Sequence, residues 1–283
     1  MRGNIVTRLI YINVGVFLFF SLTGIFLTLF NVPVNPWISY FQLPTWLPTF
    51  IRQPWSLITY MFMHAGIFHL LFNMLWLYWF GTLFLNFYSS KHLRGLYILG
   101  GIGGGILYIL AYNLFPYFEE MLYSSLMVGA SASVLAIVIA TAVRQPEYSV
   151  QFMFIGTVRL KYVAIVMILF DLMFVTESNS GGHIAHLGGA LMGWWFAVSL
   201  QKGRDVTLYI NKVIDSFSSG MRIQRKPKMK VHYGEKQKDY DFNARKKASQ
   251  DEIDRILDKL RQSGYGSLTD DEKKSLFDAS RRS

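Results

Sequence analysis

Six segments of this chain are apolar enough and long enough to lie in lipid, which leaves few folds open to it. They lie at about 7–30, 66–88, 94–115, 127–144, 160–177 and 183–201. A helix needs about 20 mostly apolar residues to cross a hydrocarbon core about 30 Å thick. Lipid offers backbone groups no hydrogen bonds, so each segment reads as a helix that satisfies its own backbone. Loop charge supplies an independent check. Arg2 and Arg8 precede the first segment, and Lys91 and Arg94 lie between the second and third. Arg144, Arg159 and Lys161 lie between the fourth and fifth, and Lys202 and Arg204 follow the sixth. The alternate loops carry Arg52, then Glu119 and Glu120, then Glu177. Basic residues mark the cytoplasmic side. The expected fold is therefore an all-α polytopic membrane protein with six spans and both termini cytoplasmic.

The charge also divides the chain. Of 28 basic and 18 acidic residues, only eight and five fall in 1–201. The net charge of +10 therefore belongs mostly to the tail. Beside a membrane it reads as topology and lipid-headgroup contact, with no call for nucleic acid. Three regions follow: a membrane domain at 1–203, a basic disordered linker at 204–248 and a small helical cytoplasmic module at 249–283. In that module Ile253, Ile256, Leu257 and Leu260 form an apolar stripe, Gly264 and Gly266 break the run, and Thr269-Asp-Asp-Glu272 caps a second helix. Such a hairpin suits docking to a protein partner. There is no cysteine, which excludes disulfides, cysteine-ligated zinc and a cysteine nucleophile. The first apolar run lacks a small-residue cleavage site and reads as a retained span. The nearly uncharged loop at 31–65 is rich in Pro and Trp, suiting the outer interface and short helices there.

Polar residues inside such segments need a partner or a job. Ser131 sits in Val128-Gly-Ala-Ser-Ala-Ser133. Small residues there let helices pack closely. They also suit a serine nucleophile at a helix start, where first-turn amides are free to face an oxyanion. His186 lies three residues before Gly189 on the face that Gly189 and Gly193 open to a neighbouring helix. It reads either as a structural hydrogen-bonder or as a base for Ser131, with His183 nearer the outer end. His69 and Asn73, four apart, share a face and can donate to a developing oxyanion, each such donor being worth roughly 2.7–4 kcal/mol. His64 and His69 miss the four-residue spacing of a helical metal pair, and no metal is expected. Gly100-Gly-Ile-Gly-Gly-Gly105 reads as helix packing. Asp171 reads as a partner for Ser, Thr or Tyr in the bundle, ahead of an orienting acid for a histidine.

Taken together, these residues resemble the rhomboid family of intramembrane serine proteases. The motifs occur in family order: His69-x-x-x-Asn73, then Gly129-x-Ser131, then Ala185-His186-x-x-Gly189-x-x-x-Gly193. The resemblance covers about residues 50–200 and implies a rhomboid-like six-helix bundle. It implies Ser131 as nucleophile and His186 as general base and later acid, with no third acidic residue. His69, Asn73 and the Ser131 backbone N–H would form the oxyanion hole. It implies no cofactor, transmembrane protein substrates drawn from the bilayer, cleavage near the outer face and a bacterial inner membrane. The alternative is an inactive member that binds membrane clients. Ala132 stands where the family often has Gly, Ser56 where it often has Arg, and Leu85 where a Glu is common.

Overall fold

The computed structural model describes residues 4–152, 156–221 and 236–280. It divides into two compact units, 1–222 and 223–283. The first opens with the long helix α1 (Ile5–Leu29), whose N-terminal cap is the Asn4 side chain accepting from the Val6 amide. The short helices α2 (Asn35–Ser39), α3 (Leu47–Arg52) and α4 (Ser56–Thr59) follow, with strand β1 (Leu43–Pro44) among them. Then come α5 (Ile67–Phe84), α6 (Ser90–Leu114), β2 (Leu126–Met127) and α7 (Ser131–Arg144). A hairpin of β3 (Ser149–Phe152) and β4 (Gly156–Arg159) leads to α8 (Leu160–Met173), α9 (Ser180–Gln201) and α10 (Leu208–Met221). The second unit holds α11 (Lys236–Ser263) and α12 (Asp270–Ser280).

Helices dominate, as expected, with two small antiparallel pairings added. Among the described residues, three helices are long and apolar enough to cross a membrane: α1, α5 and α6. The surface of α1 exposes Tyr11, Phe19, Leu22 and Phe26. A contiguous apolar surface of that kind has its matching solvent in lipid. The protein is a membrane protein. Helices α7 and α8 have 14 residues each, about 21 Å of helix against a core of about 30 Å. Six full-length spans are thus not what the helix lengths alone provide.

α7 is the centre of the first unit and packs on α5, α6, α8 and α9. Every side chain from Ala132 to Ala142 is buried. The meshing uses small residues spaced four apart on three helices. Gly100 and Gly104 of α6 face the Cβ atoms of Ala136 and Ala132. Gly189 and Gly193 of α9 lie directly on the backbone of Ala132 and Ala136. A Cβ at any of these four glycines would collide with its neighbour. The close contact expected of the Gly189/Gly193 face is therefore made with α7, and the run at 100–105 is a packing surface.

The 31–65 loop is built into the unit. Leu43 and Pro44 pair with Met127 and Leu126. The buried Thr45 hydroxyl donates to Leu122 O at 2.6 Å, and Asn113 Nδ2 donates to Thr45 O at 2.8 Å. Trp55 Nε1 donates to Tyr40 O, while the neighbouring Ser56 is buried with no partner for its hydroxyl among the described residues. Asn13 of α1, fully buried, donates to Tyr97 Oη at 3.0 Å, and Tyr97 Oη reaches Met61 O at 3.0 Å. In lipid such polar contacts hold helices that hydrophobicity cannot distinguish from their solvent.

The expected linker at 204–248 differs at both ends. Residues 208–221 form α10, docked on the start of α6: Arg94 bridges Asn211 Oδ1 and Asp215 Oδ1, and Asn211 Nδ2 donates to Lys91 O. Residues 236–248 belong to α11. Basic composition suggested disorder there, but Arg94 supplies Asp215 with a partner from distant sequence. Residues 222–235 lie outside the described residues. In the second unit Ile256 and Leu268 are buried, and Gly264, at φ +77°, ends α11. The Thr269–Glu272 capping box is present: Thr269 N–H donates to Glu272 Oε2 at 2.8 Å and Glu272 N–H to Thr269 Oγ1 at 3.3 Å.

Gly193→Leu should lower the thermal midpoint of the detergent-solubilised protein sharply, because backbone lies where the side chain must go; the cost should reach or pass the about 3 kcal/mol usual for overpacking. Thr269→Ala should weaken α12 by about 1 kcal/mol, read as faster amide exchange there. The Lys259 ammonium, and then the Thr269 amide, hold the Glu272 carboxyl down at about 2 from its ordinary 4.5. This contribution is complete above pH 4.5 and fades as the pH falls from there through about 2. Exchange in α12 followed across that range, in wild type and Glu272→Gln, checks it.

Candidate active site

Ser131 is the first residue of α7, and no side chain caps that helix. The first intrahelical bond is Val134 N–H to Ala130 O, so the amides of 131–133 have no helical acceptor. The chain enters through Gly129 at φ +136°, a conformation that favours glycine. Its N–H donates to Tyr60 O at 3.0 Å, which fixes the entry. A Cβ on Gly129 would stand 3.0 Å from His69 Nε2 and 3.6 Å from Ser131 Oγ. The imidazole edge and the serine hydroxyl therefore flank the space that glycine leaves empty.

His69 lies in the first turn of α5. The Ala65 N–H donates to its Nδ1 at 3.3 Å. Nδ1 is then the acceptor of a neutral ring, and the proton sits on Nε2, the edge that faces Gly129. Asn73, one turn on, is buried and donates from Nδ2 to His69 O at 2.8 Å. An amide NH2 has two protons, so one remains for another acceptor. His186 is in the second turn of α9. Ser131, Asn73 and His186 line one cleft of about 180 Å³, together with Trp76 and Met167. Among the described residues no hydrogen bond joins Ser131 Oγ to His186. Such bonds often close only when substrate binds.

The neighbours fall elsewhere. Ser133 is fully buried against Gly101 of α6, with no partner for its hydroxyl among the described residues. His64 stacks edge-on upon His69, and neither of its ring nitrogens has a hydrogen-bond partner among the described residues. Burial, and then His69, push its imidazole down to about 4, so it is neutral near pH 7. A larger cavity of about 530 Å³ lies at the far ends of α5, α7 and α9, lined by Ser89, His92 and Arg144, and holds none of the expected site residues.

Asp171 departs from expectation. Its partners are not hydroxyls. His183 Nδ1 and His186 Nδ1 both lie 2.8 Å from its Oδ1, and the residue is 3% exposed. The signal was available: a lone acid in an apolar segment requires a partner, and His183 and His186 share a face at three-residue spacing. What could not be read was that α8 lies against that face.

A family model described as the Rhomboid domain matches residues 51–203, just over half of the chain. A second, described as a family of unknown function, matches 236–282. Among curated proteins, the RHOMBOID-like protein 12, mitochondrial, of Arabidopsis thaliana is 29% identical over 158 residues, which is 53% of this chain and 47% of that protein. This chain thus spans about half the length of the relative it matches, and a mitochondrial plant protein gives the expected bacterial inner membrane no support. The matched stretch 51–203 carries the whole of the cleft, its four flanking helices and the glycine faces that join them, and the chain belongs to the rhomboid family.

Proposed function

We propose that this protein is an intramembrane serine endopeptidase that cleaves transmembrane substrates through Ser131 and His186. The observation that carries the reading is the shared cleft: the Ser131 hydroxyl at a helix start, the His186 imidazole and the Asn73 amide line one small space, with His69 Nε2 beside the adjoining Gly129. Ser131 Oγ attacks the peptide carbonyl as His186 Nε2 takes its proton. The carbonyl oxygen becomes an oxyanion facing the Ser131 N–H, His69 Nε2–H and the spare Asn73 Nδ2 proton. His186 then returns the proton to the leaving amine, and the C–N bond breaks. Water, deprotonated by the same nitrogen, releases the acyl group and restores Ser131. No step requires a cofactor.

The basic loops favour a six-span arrangement with both termini on the cytoplasmic side. With the Arg144 end of α7 at that side, 14 residues of helix leave Ser131 about 10 Å below the opposite face. That depth supports a substrate entering from the bilayer and unwinding near its outer end. The segment Thr176–Gly182, between α8 and the first turn of α9, is the proposed gate. It is fastened by Tyr117 Oη to Thr176 O and by Tyr112 Oη with Ser180 Oγ.

A fluorophosphonate should label the detergent-solubilised protein once, and Ser131→Ala should abolish both labelling and cleavage of a model transmembrane peptide. Folded wild-type protein that is never labelled would instead identify a client-binding member without activity. Gly129→Ala should lower kcat by about 10²–10³-fold, since its methyl would stand between the oxyanion donor and the nucleophile. Peptide-cleavage kinetics on the purified variant measure this.

A further inference from the structure

We infer that Asp171 is a positioning residue for His186, so that the cleft works as an acid–histidine–serine relay instead of an isolated pair. The inference rests on the reading of His186 as the general base.

The argument starts from the carboxylate. Asp171 is buried in α8, where an unpaired charge is costly. A carboxylate can only accept hydrogen bonds, and both groups within reach of Oδ1 are imidazole Nδ1 atoms at 2.8 Å. Both Nδ1 atoms must therefore carry protons. A neutral ring with a proton on Nδ1 has its lone pair on Nε2. For His186 that leaves the basic nitrogen free on the ring edge away from α8, in the cleft it shares with Ser131. When Nε2 takes the serine proton, the same carboxylate faces the imidazolium and stabilises it. This is the division of labour in soluble serine hydrolases, where the acid sets tautomer and orientation without taking up the proton itself.

His183 completes the arrangement from the other side. It shares Oδ1, its ring stands nearly perpendicular to that of His186 (85°), and Phe170 and Phe174 flank it. Two donors on one oxygen, one of them held between aromatic rings, fix the carboxylate rotamer and so the plane of His186. His69 shows the opposite pattern: a backbone N–H occupies Nδ1 and leaves Nε2 as a donor. His69, beside Gly129, and His186, in the cleft, thus hold opposite tautomers, each suited to its task.

The test uses the full-length protein in detergent, with a fluorogenic transmembrane peptide and nitrogen-15-labelled histidine. In the wild type, His186 should be protonated on Nδ1 and His69 on Nε2; an Nε2-protonated neutral His186 overturns the inference without any variant. Asp171→Ala should lower kcat by about 10²–10⁴-fold with KM unchanged, and should move the His186 signals away from the Nδ1-protonated form. Asp171→Glu should restore part of kcat. If Asp171→Ala fails to fold, the isosteric Asp171→Asn takes its place, and a folded variant with wild-type kcat overturns the inference while leaving the protease reading intact. A wild type that cleaves nothing overturns the protease reading itself. Asp171, His183 and His186 also place three ligand atoms within 4.8 Å of one another. Stoichiometric zinc in the purified wild type, lost in Asp171→Ala, would overturn the relay in favour of a metal site.

Discussion

The structure depends on backbone meeting backbone where α6 and α9 close on α7. Gly104 and Gly189 both fit against Ala132, and Gly100 and Gly193 both fit against Ala136. In hydrocarbon, apolar side chains gain little by touching one another, so dispersion at close approach must hold helices together. That contact also places the candidate site residues. Ser131 is one residue before Ala132, and His186 is one turn before Gly189. The register that meshes the small residues therefore brings the hydroxyl and the imidazole to one cleft. A methyl group in the seam would move both.

The second support is polar. Gly129 is held to Tyr60 by a backbone bond, the strand at 43–44 pairs with 126–127, and Thr45 ties the loop to Leu122 and Asn113. These contacts shape the approach to Ser131 from sequence more than 60 residues away. They explain why an almost uncharged loop rich in proline and tryptophan forms ordered short helices. Its carbonyls and hydroxyls satisfy one another instead of water, as a site at a lipid boundary requires.

Much of the site was legible because helical periodicity is local. Spacing of three and four residues put His186 on the Gly189/Gly193 face and Asn73 beside His69, and the structure keeps both relations. The two serines have different surroundings, Ser131 lining the cleft and Ser133 sealed against Gly101. Local rules also found the Thr269–Glu272 cap. They failed where a partner came from elsewhere in the chain. Asp171 was given hydroxyl partners because nothing local shows which face of α9 lies opposite α8. The stretch after residue 203 was read as disordered because the partners of its Asp215 and Asn211, Arg94 and the Lys91 carbonyl, lie more than 100 residues earlier.

By itself, then, the sequence determined that this chain is a helical membrane protein, which residues share each helix face, and which polar groups are too expensive to bury without a purpose. Those follow from hydropathy and from the 3.6-residue turn, which need no knowledge of neighbours. The tertiary structure alone decided that Asp171 holds both histidines, that α7 is short and enclosed, and that the Nδ1 of His69 meets a backbone N–H while the Nδ1 of His186 meets a carboxylate. Each of these depends on which backbone lies within a few ångströms of another. Packing sets that, because hydrogen bonds and close contacts are lost over distances smaller than one side chain.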